Sequence, residues 1–100
     1  MKLFFDPETT ALIGASATPL RPGNQLFQNM DITFKDKFYP VNPRLDKIGE
    51  RKCYPSILDV PADIDLAVIF IQAGLVPRAM EQCAEKGVKR GIIESIRLPG

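Results

Sequence analysis

The segment that follows residues 10–13 has the residue types of a phosphate-binding loop. Residues 10–13 read as a buried strand, Gly14 follows directly, and a helical pattern begins at Gly23. A strand, a glycine turn and a helix in that order can surround a phosphate with backbone N–H groups. Because two prolines and Arg21 separate the glycines, this loop differs from the G-x-G-x-x-G of dinucleotide sites. The alternative is that Gly14 only allows a tight turn.

The residues that follow the second predicted strand indicate which ligand the site would bind. This strand, residues 37–41, is followed by Asn42, Pro43 and Arg44. An NAD site needs an acidic residue here to bind the ribose 2′-hydroxyl, whereas an arginine suits an additional phosphate. NADP carries that phosphate at the 2′ position and coenzyme A at the 3′ position. The missing glycines of the first loop favour coenzyme A, and an NADP-dependent redox domain is the alternative. A solvated surface charge is the other explanation of Arg44.

Because the sequence has no histidine, several classes of catalytic site are excluded. The chain can form no Ser-His-Asp triad and no Cys-His pair, and it cannot carry a phosphoryl group on an imidazole. The two cysteines, Cys53 and Cys83, are too few to close a tetrahedral zinc site. Cys83 falls on the apolar face of a predicted helix, so we expect it in the core. We therefore expect no catalysis from this chain alone and no metal.

The composition is typical of one small soluble domain. The chain has 100 residues, of which 45% are hydrophobic and 25% charged, and its net charge is +1. This near-neutral balance gives no sign of binding to nucleic acid or to an anionic membrane. The longest apolar run, residues 66–71, is too short to cross a bilayer, and the N-terminus lacks the apolar core of a signal peptide. We expect a single domain over residues 1–100, located in the cytoplasm.

The hydrophobic pattern predicts alternating strands and helices. Five strands are expected, at residues 10–13, 37–41, 52–54, 65–71 and 88–95. Pro40 should lie at the end of its strand, because proline cannot donate to a β-ladder. A helix should begin near Gly23, a helical turn should cover residues 56–59, and a second helix residues 74–86. The pattern predicts a three-layer α/β fold with an open parallel sheet of about five strands.

The second helix should bury one face. Gly87 directly after it is a typical stop signal. The apolar stripe of this helix consists of Leu75, Val76, Ala79, Met80 and Cys83.

Sheets of this kind bind ligands at the carboxyl ends of their strands, where the direction of the connections reverses. Three loops should meet at this edge, residues 14–23, 42–47 and 72–75. The last two also have simpler explanations, since Pro43 can merely end a strand and Ala73 with Gly74 can merely begin a helix.

Three stretches of the sequence resemble a known family. They read "LFFDPETTALIGAS" at residues 3–16, "KFYPVNPRLDKIGERKCYPSILDVP" at 37–61 and "DLAVIFIQAGLVPRAMEQCAEKGVK" at 65–89. Together they resemble the coenzyme A-binding domain of the nucleoside-diphosphate-forming acyl-CoA synthetases, relatives of the succinyl-CoA synthetase alpha subunit. The middle stretch, with "YPVNP" and "CYPS" in order, is the most specific. The resemblance implies a Rossmann-like, nucleotide-binding type of domain with a coenzyme A site.

The resemblance also implies which residues form that site. The first two loops would line the phosphate side, with Arg44 where the family usually has a basic residue, and the third loop would lie beside the pantetheine arm. The complete predicted set is Gly14, Ala15, Ser16, Arg21, Asn42, Pro43, Arg44, Ile71, Gln72, Ala73 and Ser95.

The sequence departs from the family pattern in two places and in length. Ile71-Gln72-Ala73 stands where the family usually has Val-Pro-Ala, so the ligand contact there can differ. The fifth strand ends Ser95-Ile96-Arg97-Leu98 where the family usually has Ser-Ala-Gly-Phe, so no glycine allows a close approach at the thiol end of the pocket. The family domain also runs some tens of residues further, so we expect a C-terminally truncated chain.

Three functional hypotheses follow. The first is a module that binds coenzyme A or acyl-CoA in an acid–CoA ligase (NDP-forming), with an ATP-grasp domain and a phosphohistidine domain as partners. The second is an NADP-binding redox domain, and the third is a truncated remnant that binds no ligand and serves as an interaction surface. An apolar fifth strand ending at Leu98 further predicts self-association into a homo-oligomer through an exposed sheet edge.

Overall fold

The computed structural model describes residues 9–19 and 21–93, which form an α/β fold. The strands are β1 (Thr10–Ile13), β2 (Phe38–Val41), β3 (Lys47–Ile48), β4 (Arg51–Lys52), β5 (Leu66–Ile69) and β6 (Arg90–Ile93). The helices are α1 (Pro22–Phe34) and α2 (Val76–Lys86), and single 3-10 turns cover Lys35–Lys37, Ile57–Asp59 and Ala73–Leu75.

A four-stranded parallel sheet in the order β2-β1-β5-β6 forms the middle layer. The first strand of the described residues therefore lies inside the sheet, with Thr10 opposite both Phe38 and Leu66. All four residues of β1 are buried, as their apolar character requires of a strand that is covered on both faces. The strand order reverses between β1 and β5, which is where ligands bind in sheets of this type.

Two apolar clusters lie on opposite faces of the sheet. On one face, α1 packs Phe27 and Met30 against Leu12 and Phe38. On the other face, α2 and the turn Ile57–Asp59 cover a second buried cluster, which includes Ala11, Ile13, Ile57, Ile69 and Ala79. Alternate residues of β1 serve the two clusters, which is the period-two pattern of a strand between two layers.

The third predicted strand is not part of the parallel sheet, so that sheet has four strands among the described residues instead of about five. Residues of this segment form β4, which pairs antiparallel with β3 in a small separate hairpin. Only Tyr54 reaches the main sheet, through a single parallel bridge to Val41. The segment is too short and too charged, with Arg51 and Lys52 next to each other, to supply another buried strand.

Pro40 was expected at the end of the second strand, and this prediction is wrong. It lies inside β2, opposite Leu12. The ladder tolerates it because β2 is an edge strand of the parallel sheet, where one N–H can be missing. The carbonyl of Pro40 still accepts a hydrogen bond from the Tyr54 N–H at 3.0 Å.

The second helix has the predicted end but buries less than the predicted face. Gly87 adopts φ 84° and its N–H donates to the carbonyls of Cys83 and Ala84, which is the expected glycine stop. Ala79 is buried, but Leu75 and Met80 are 57% and 49% exposed. Val76 and Cys83 are partly buried against the same cluster, so the described residues cover only part of the apolar stripe.

The fifth predicted strand is present as β6, and all four of its residues are exposed. Ser95, like Leu98, lies outside the described residues. No helix in the described ranges is long and apolar enough to cross a membrane.

Candidate functional site

The three loops named from the sequence meet in a cleft at the carboxyl edge of the sheet. The cleft has a volume of about 500 Å³, which is within the range of small-molecule sites. Its lining residues are Gly14, Ala15, Ser16, Ala17, Thr18, Arg21, Pro22, Gly23, Asn42, Arg44, Leu45, Phe70, Ile71, Gln72 and Leu75.

Most of the predicted site residues are brought together here, and two of the described ones are not. Pro43 and Ala73 do not line the cleft, although they stand next to residues that do. Ser95 lies outside the described residues, so its relation to the cleft stays a prediction.

Gly14 is required by the backbone. It adopts φ 107°, and its N–H donates to the carbonyl of Val41 at 3.0 Å. A β carbon on Gly14 would lie 2.1 Å from the carbonyl oxygen of Phe70 and 2.9 Å from the Ile71 side chain. A side chain here would therefore collide with the segment after β5 before it reached any ligand. The tight-turn explanation of this glycine is the one that the geometry supports.

Gly23 allows the first turn of α1 to touch the loop after β1. A β carbon on Gly23 would lie 2.6 Å from the carbonyl oxygen of Gly14 and 3.3 Å from the Ser16 β carbon. In dinucleotide sites the first glycine makes the tight turn and the third allows close packing of helix on strand. Gly14 and Gly23 perform these two tasks with a longer loop between them.

Two asparagine side chains hold the loop after β1 in place. The Asn42 Nδ2 donates to the carbonyl of Ala15 and the Asn24 Nδ2 to the carbonyl of Ser16, both at 2.8 Å. The Asn42 Oδ1 also accepts the Arg44 N–H at 2.8 Å. The amide of Asn42, predicted as a ligand contact, is therefore engaged with backbone groups of both neighbouring loops.

The polar lining of the cleft is suited to an anion. Arg21 and Arg44 are both exposed there, and no carboxylate is among the described lining residues. The backbone N–H groups of Ser16 and Ala17 donate to no acceptor within the described ranges. The N-terminus of α1 opens onto the same place, with Pro22 in its first turn and no acidic residue. Two cations, free N–H groups and a helix N-terminus together favour a phosphate.

The cleft also has an apolar lining. Its larger apolar side chains are Leu45, Phe70, Ile71 and Leu75, and Leu75 is 57% exposed. Helical spacing assigned Leu75 to the core, whereas the structure makes it a wall of the cleft. Its position within the third loop was the signal that could have identified it, because that loop had already been assigned to the binding edge.

Neither thiol belongs to the cleft lining. Burial raises the pKa of both Cys53 and Cys83, so both side chains are neutral thiols at pH 7. Cys83 packs against the core, as predicted. Within the described residues no group of cysteine, aspartate or glutamate side chains could hold a metal ion.

Comparison with known proteins gives consistent matches over nearly the whole chain. A family model described as "CoA binding domain" matches residues 8–95. The ADP-forming acetate–CoA ligase II of Archaeoglobus fulgidus is 49% identical over 92 residues, which are 91% of this chain and 14% of that protein. The ADP-forming acetate–CoA ligase of Methanocaldococcus jannaschii is 44% identical over 93 residues, which are 93% of this chain and 13% of that protein.

A solved structure shows the same fold. The dinucleotide forming acetyl-coenzyme A synthetase 1 of Ca. Korarchaeum cryptofilum, in its apo form, superposes with a TM-score of 0.84 at 35% identity. The match covers 97% of this chain and 21% of that one. The chain thus spans about one seventh of the length of the two curated relatives.

Proposed function

The chain belongs to the CoA binding domain family, and we propose from this premise that the cleft binds coenzyme A or its acyl thioesters. The observation that carries the proposal is the mixed lining of the cleft. It combines Arg21, Arg44 and backbone N–H groups that have no described acceptor with the apolar side chains of Leu45, Phe70, Ile71 and Leu75. Coenzyme A combines the same two kinds of chemistry, with three phosphoryl groups at one end and a long, uncharged pantetheine arm at the other.

We propose a role for each part of the cleft lining. Arg44 pairs with the 3′-phosphate through a charge-assisted hydrogen bond. The loop after β1, with Ser16 and Ala17, faces the diphosphate, where free N–H groups and the N-terminus of α1 are most useful. Ile71 and Leu75 lie along the pantetheine arm.

Gln72 replaces the proline that the family usually has, and we propose that it changes the contact to the arm. It lines the cleft, is exposed, and its side chain makes no hydrogen bond to a described residue. Its amide therefore adds donors and an acceptor where a proline offers none. The peptide groups of the pantetheine arm are suitable partners for it.

We further propose that the chain works as the coenzyme A-binding part of an NDP-forming acid–CoA ligase. Two similar proteins are named as ADP-forming acetate–CoA ligases, and both are much longer than this chain. The partner parts would be an ATP-grasp domain and a domain with a phosphorylated histidine, because this chain has no histidine. There the phosphoryl group would pass from the nucleotide through histidine to the acid, and the thiol of coenzyme A would displace phosphate from the acyl phosphate. This chain would present the thiol.

A cytoplasmic location and self-association remain predictions of the same proposal. Coenzyme A chemistry is expected in the cytoplasm, and the exposed edge strand β6 provides a surface for a second copy.

Calorimetric titration of the chain with coenzyme A, NADP and NADH tests the proposal. We expect a saturable signal with coenzyme A and much weaker binding of both nicotinamide nucleotides. Tighter binding of NADP would replace the proposal with the redox hypothesis. Absence of binding by all three would favour the ligand-free interaction surface.

A further inference from the structure

We propose that Asn24 is a positioning residue for the coenzyme A site, an inference that rests on the function proposed above. Asn24 belongs to no motif of the sequence analysis and does not line the cleft. It acts on the ligand only through the loop after β1, by holding the carbonyl of Ser16 toward the protein.

The side chain of Asn24 is buried, and its amide nitrogen and amide oxygen each make a hydrogen bond. Asn24 is 8% exposed and lies in the first turn of α1. Its Nδ2 donates to the Ser16 carbonyl at 2.8 Å, and its Oδ1 accepts from the Gln28 Nε2 at 2.8 Å. The Ser16 carbonyl can only accept, so it fixes which amide atom faces the loop, and Gln28, one turn further along the helix, holds the other amide atom. A hydrogen bond in this buried setting has a defined direction and is costly to leave unmade.

Asn24 and Asn42 hold two neighbouring peptide groups of the loop after β1. Asn42, after β2, holds the carbonyl of Ala15, while Asn24, on α1, holds the carbonyl of Ser16. With two consecutive carbonyls turned toward the protein, the N–H groups of Ser16 and Ala17 are left without a described acceptor. Successive N–H groups that converge in a turn form a concave anion site. The two asparagines therefore pre-organise the part of the loop that faces the diphosphate.

The proposed roles of Asn24 and Arg44 predict different effects on ligand affinity. Arg44 is proposed to bind the 3′-phosphate directly, so its loss should affect only ligands that carry this group. Asn24 is proposed to orient N–H groups toward the diphosphate, which coenzyme A and 3′-dephospho-coenzyme A share. Loss of the Asn24 amide should therefore weaken both ligands by the same factor.

Calorimetric titration of the variants with these two ligands tests the inference. We expect Asn24→Ala to weaken each ligand about tenfold, which corresponds to roughly one hydrogen bond. Asn29→Ala is the matched control, since Asn29 is an exposed asparagine on the same helix, and it should bind as the wild type does. Binding of both ligands by Asn24→Ala within twofold of the wild type would overturn the inference.

A second control separates positioning from general destabilisation. Val60 is 2% exposed and lies in the cluster on the other face of the sheet. Val60→Ala should lower the unfolding temperature, followed by circular dichroism, and leave both affinities unchanged. If Val60→Ala weakens binding as much as Asn24→Ala does, Asn24 has only a structural role and the inference fails.

A less disruptive variant tests the inference if Asn24→Ala does not fold. Gln28→Ala keeps Asn24 and removes only the donor to its Oδ1. We expect it to weaken both ligands about threefold through looser orientation of the amide, and unchanged affinity would contradict the inference. The proposed function is judged separately on the wild type, because a wild-type chain that binds no coenzyme A refutes that function before any variant is compared.

Discussion

Gly14 lies directly against the carbonyl group of Phe70, so close that a β carbon on the glycine would stand 2.1 Å from the oxygen. This contact joins the turn after β1 to the segment after β5, and both line the cleft. The close approach of these two segments therefore requires a residue that has no side chain. Gly14 thereby affects the shape of the cleft, although it contributes no side chain to the lining.

The first prediction concerns stability at this contact. Gly14→Ala should lower the free energy of unfolding by about 2–5 kcal/mol, because an L-residue at φ 107° is strained and its β carbon overlaps a backbone oxygen. Urea unfolding measures the change. Gly49→Ala is the matched control, since Gly49 has φ 62° but open space around it, and it should cost about 1 kcal/mol. Equal losses in the two variants would show that the contact with Phe70 carries no strain.

The second prediction concerns recognition of the 3′-phosphate. A charge-assisted hydrogen bond from Arg44 is worth roughly 1.5–3 kcal/mol, or about tenfold to a hundredfold in affinity. Coenzyme A should therefore bind better than its 3′-dephospho form by about that factor, and Arg44→Ala should remove the difference. Higher salt should narrow the gap, because Arg44 is exposed and the pair is screened.

The cycle of two proteins against two ligands measures this coupling. Lys47→Ala serves as a control, because Lys47 is also an exposed cation after β2 but does not line the cleft. If loss of the 3′-phosphate costs the wild type and Arg44→Ala equally, Arg44 does not bind it. Arg21, which also lines the cleft, would then be the next candidate.

The third prediction concerns catalysis. The isolated chain should form no acyl-CoA from acid, coenzyme A, magnesium and a nucleoside triphosphate, because it has no histidine to carry the phosphoryl group. Release of nucleoside diphosphate and formation of thioester are measured against heat-denatured chain. Turnover by the pure chain would contradict the proposed division of labour between this domain and its partners.

The fourth prediction concerns pH and the start of β5. The N–H of Thr9, 3.2 Å from one carboxylate oxygen, and then the ammonium of Lys89, 3.3 Å from the other, lower the pKa of Asp65. A lowered folded-state pKa means that the ionised carboxylate stabilises the fold above its unfolded-state pKa of about 3.9, and that this contribution disappears as pH falls through the folded-state value.

Urea unfolding at several pH values checks this linkage. Wild type should be more stable than Asp65→Asn at pH 7, and the difference should shrink below about pH 4. Asp63→Asn, at an exposed aspartate without a described partner, should show little difference at any pH. A difference between wild type and Asp65→Asn that does not change with pH would refute the linkage.

The sequence predicted the elements whose signals are local. β1 and β5 are short, apolar and bounded by turn residues, and Gly87 marks the end of α2. The α/β order then led to the correct edge of the sheet for the cleft. The hairpin of β3 and β4 was not predicted, because its two-residue strands carry no periodic pattern and are held by tertiary contacts. One of these is the Arg51 guanidinium, which pairs with Asp31 and stacks over the Phe38 ring.

The site residues that could be predicted were also those with a local signal in the sequence. Arg44 could be selected because its charge stands directly after a predicted strand. Asn24 could not be selected, since an asparagine near the start of a helix usually has a local capping role. Its hydrogen bond to Ser16, eight residues earlier, depends on how closely Gly23 lets the helix approach the loop. That distance is a property of the packed structure and not of any single segment.

The order of the strands in the sheet also has a consequence for synthesis of the protein. β1 is translated before its neighbours in the sheet, yet it lies inside the sheet and needs β5 on one side, with Thr9 and Asp65 joined across 56 residues of chain. A nascent chain that has emerged only as far as the β3–β4 hairpin has β1 with one apolar edge unpaired. Folding dominated by such distant pairings is slow, and an unpaired apolar strand is a site for aggregation. Ribosome pausing after the hairpin should therefore lower the yield of folded protein more than pausing after β5.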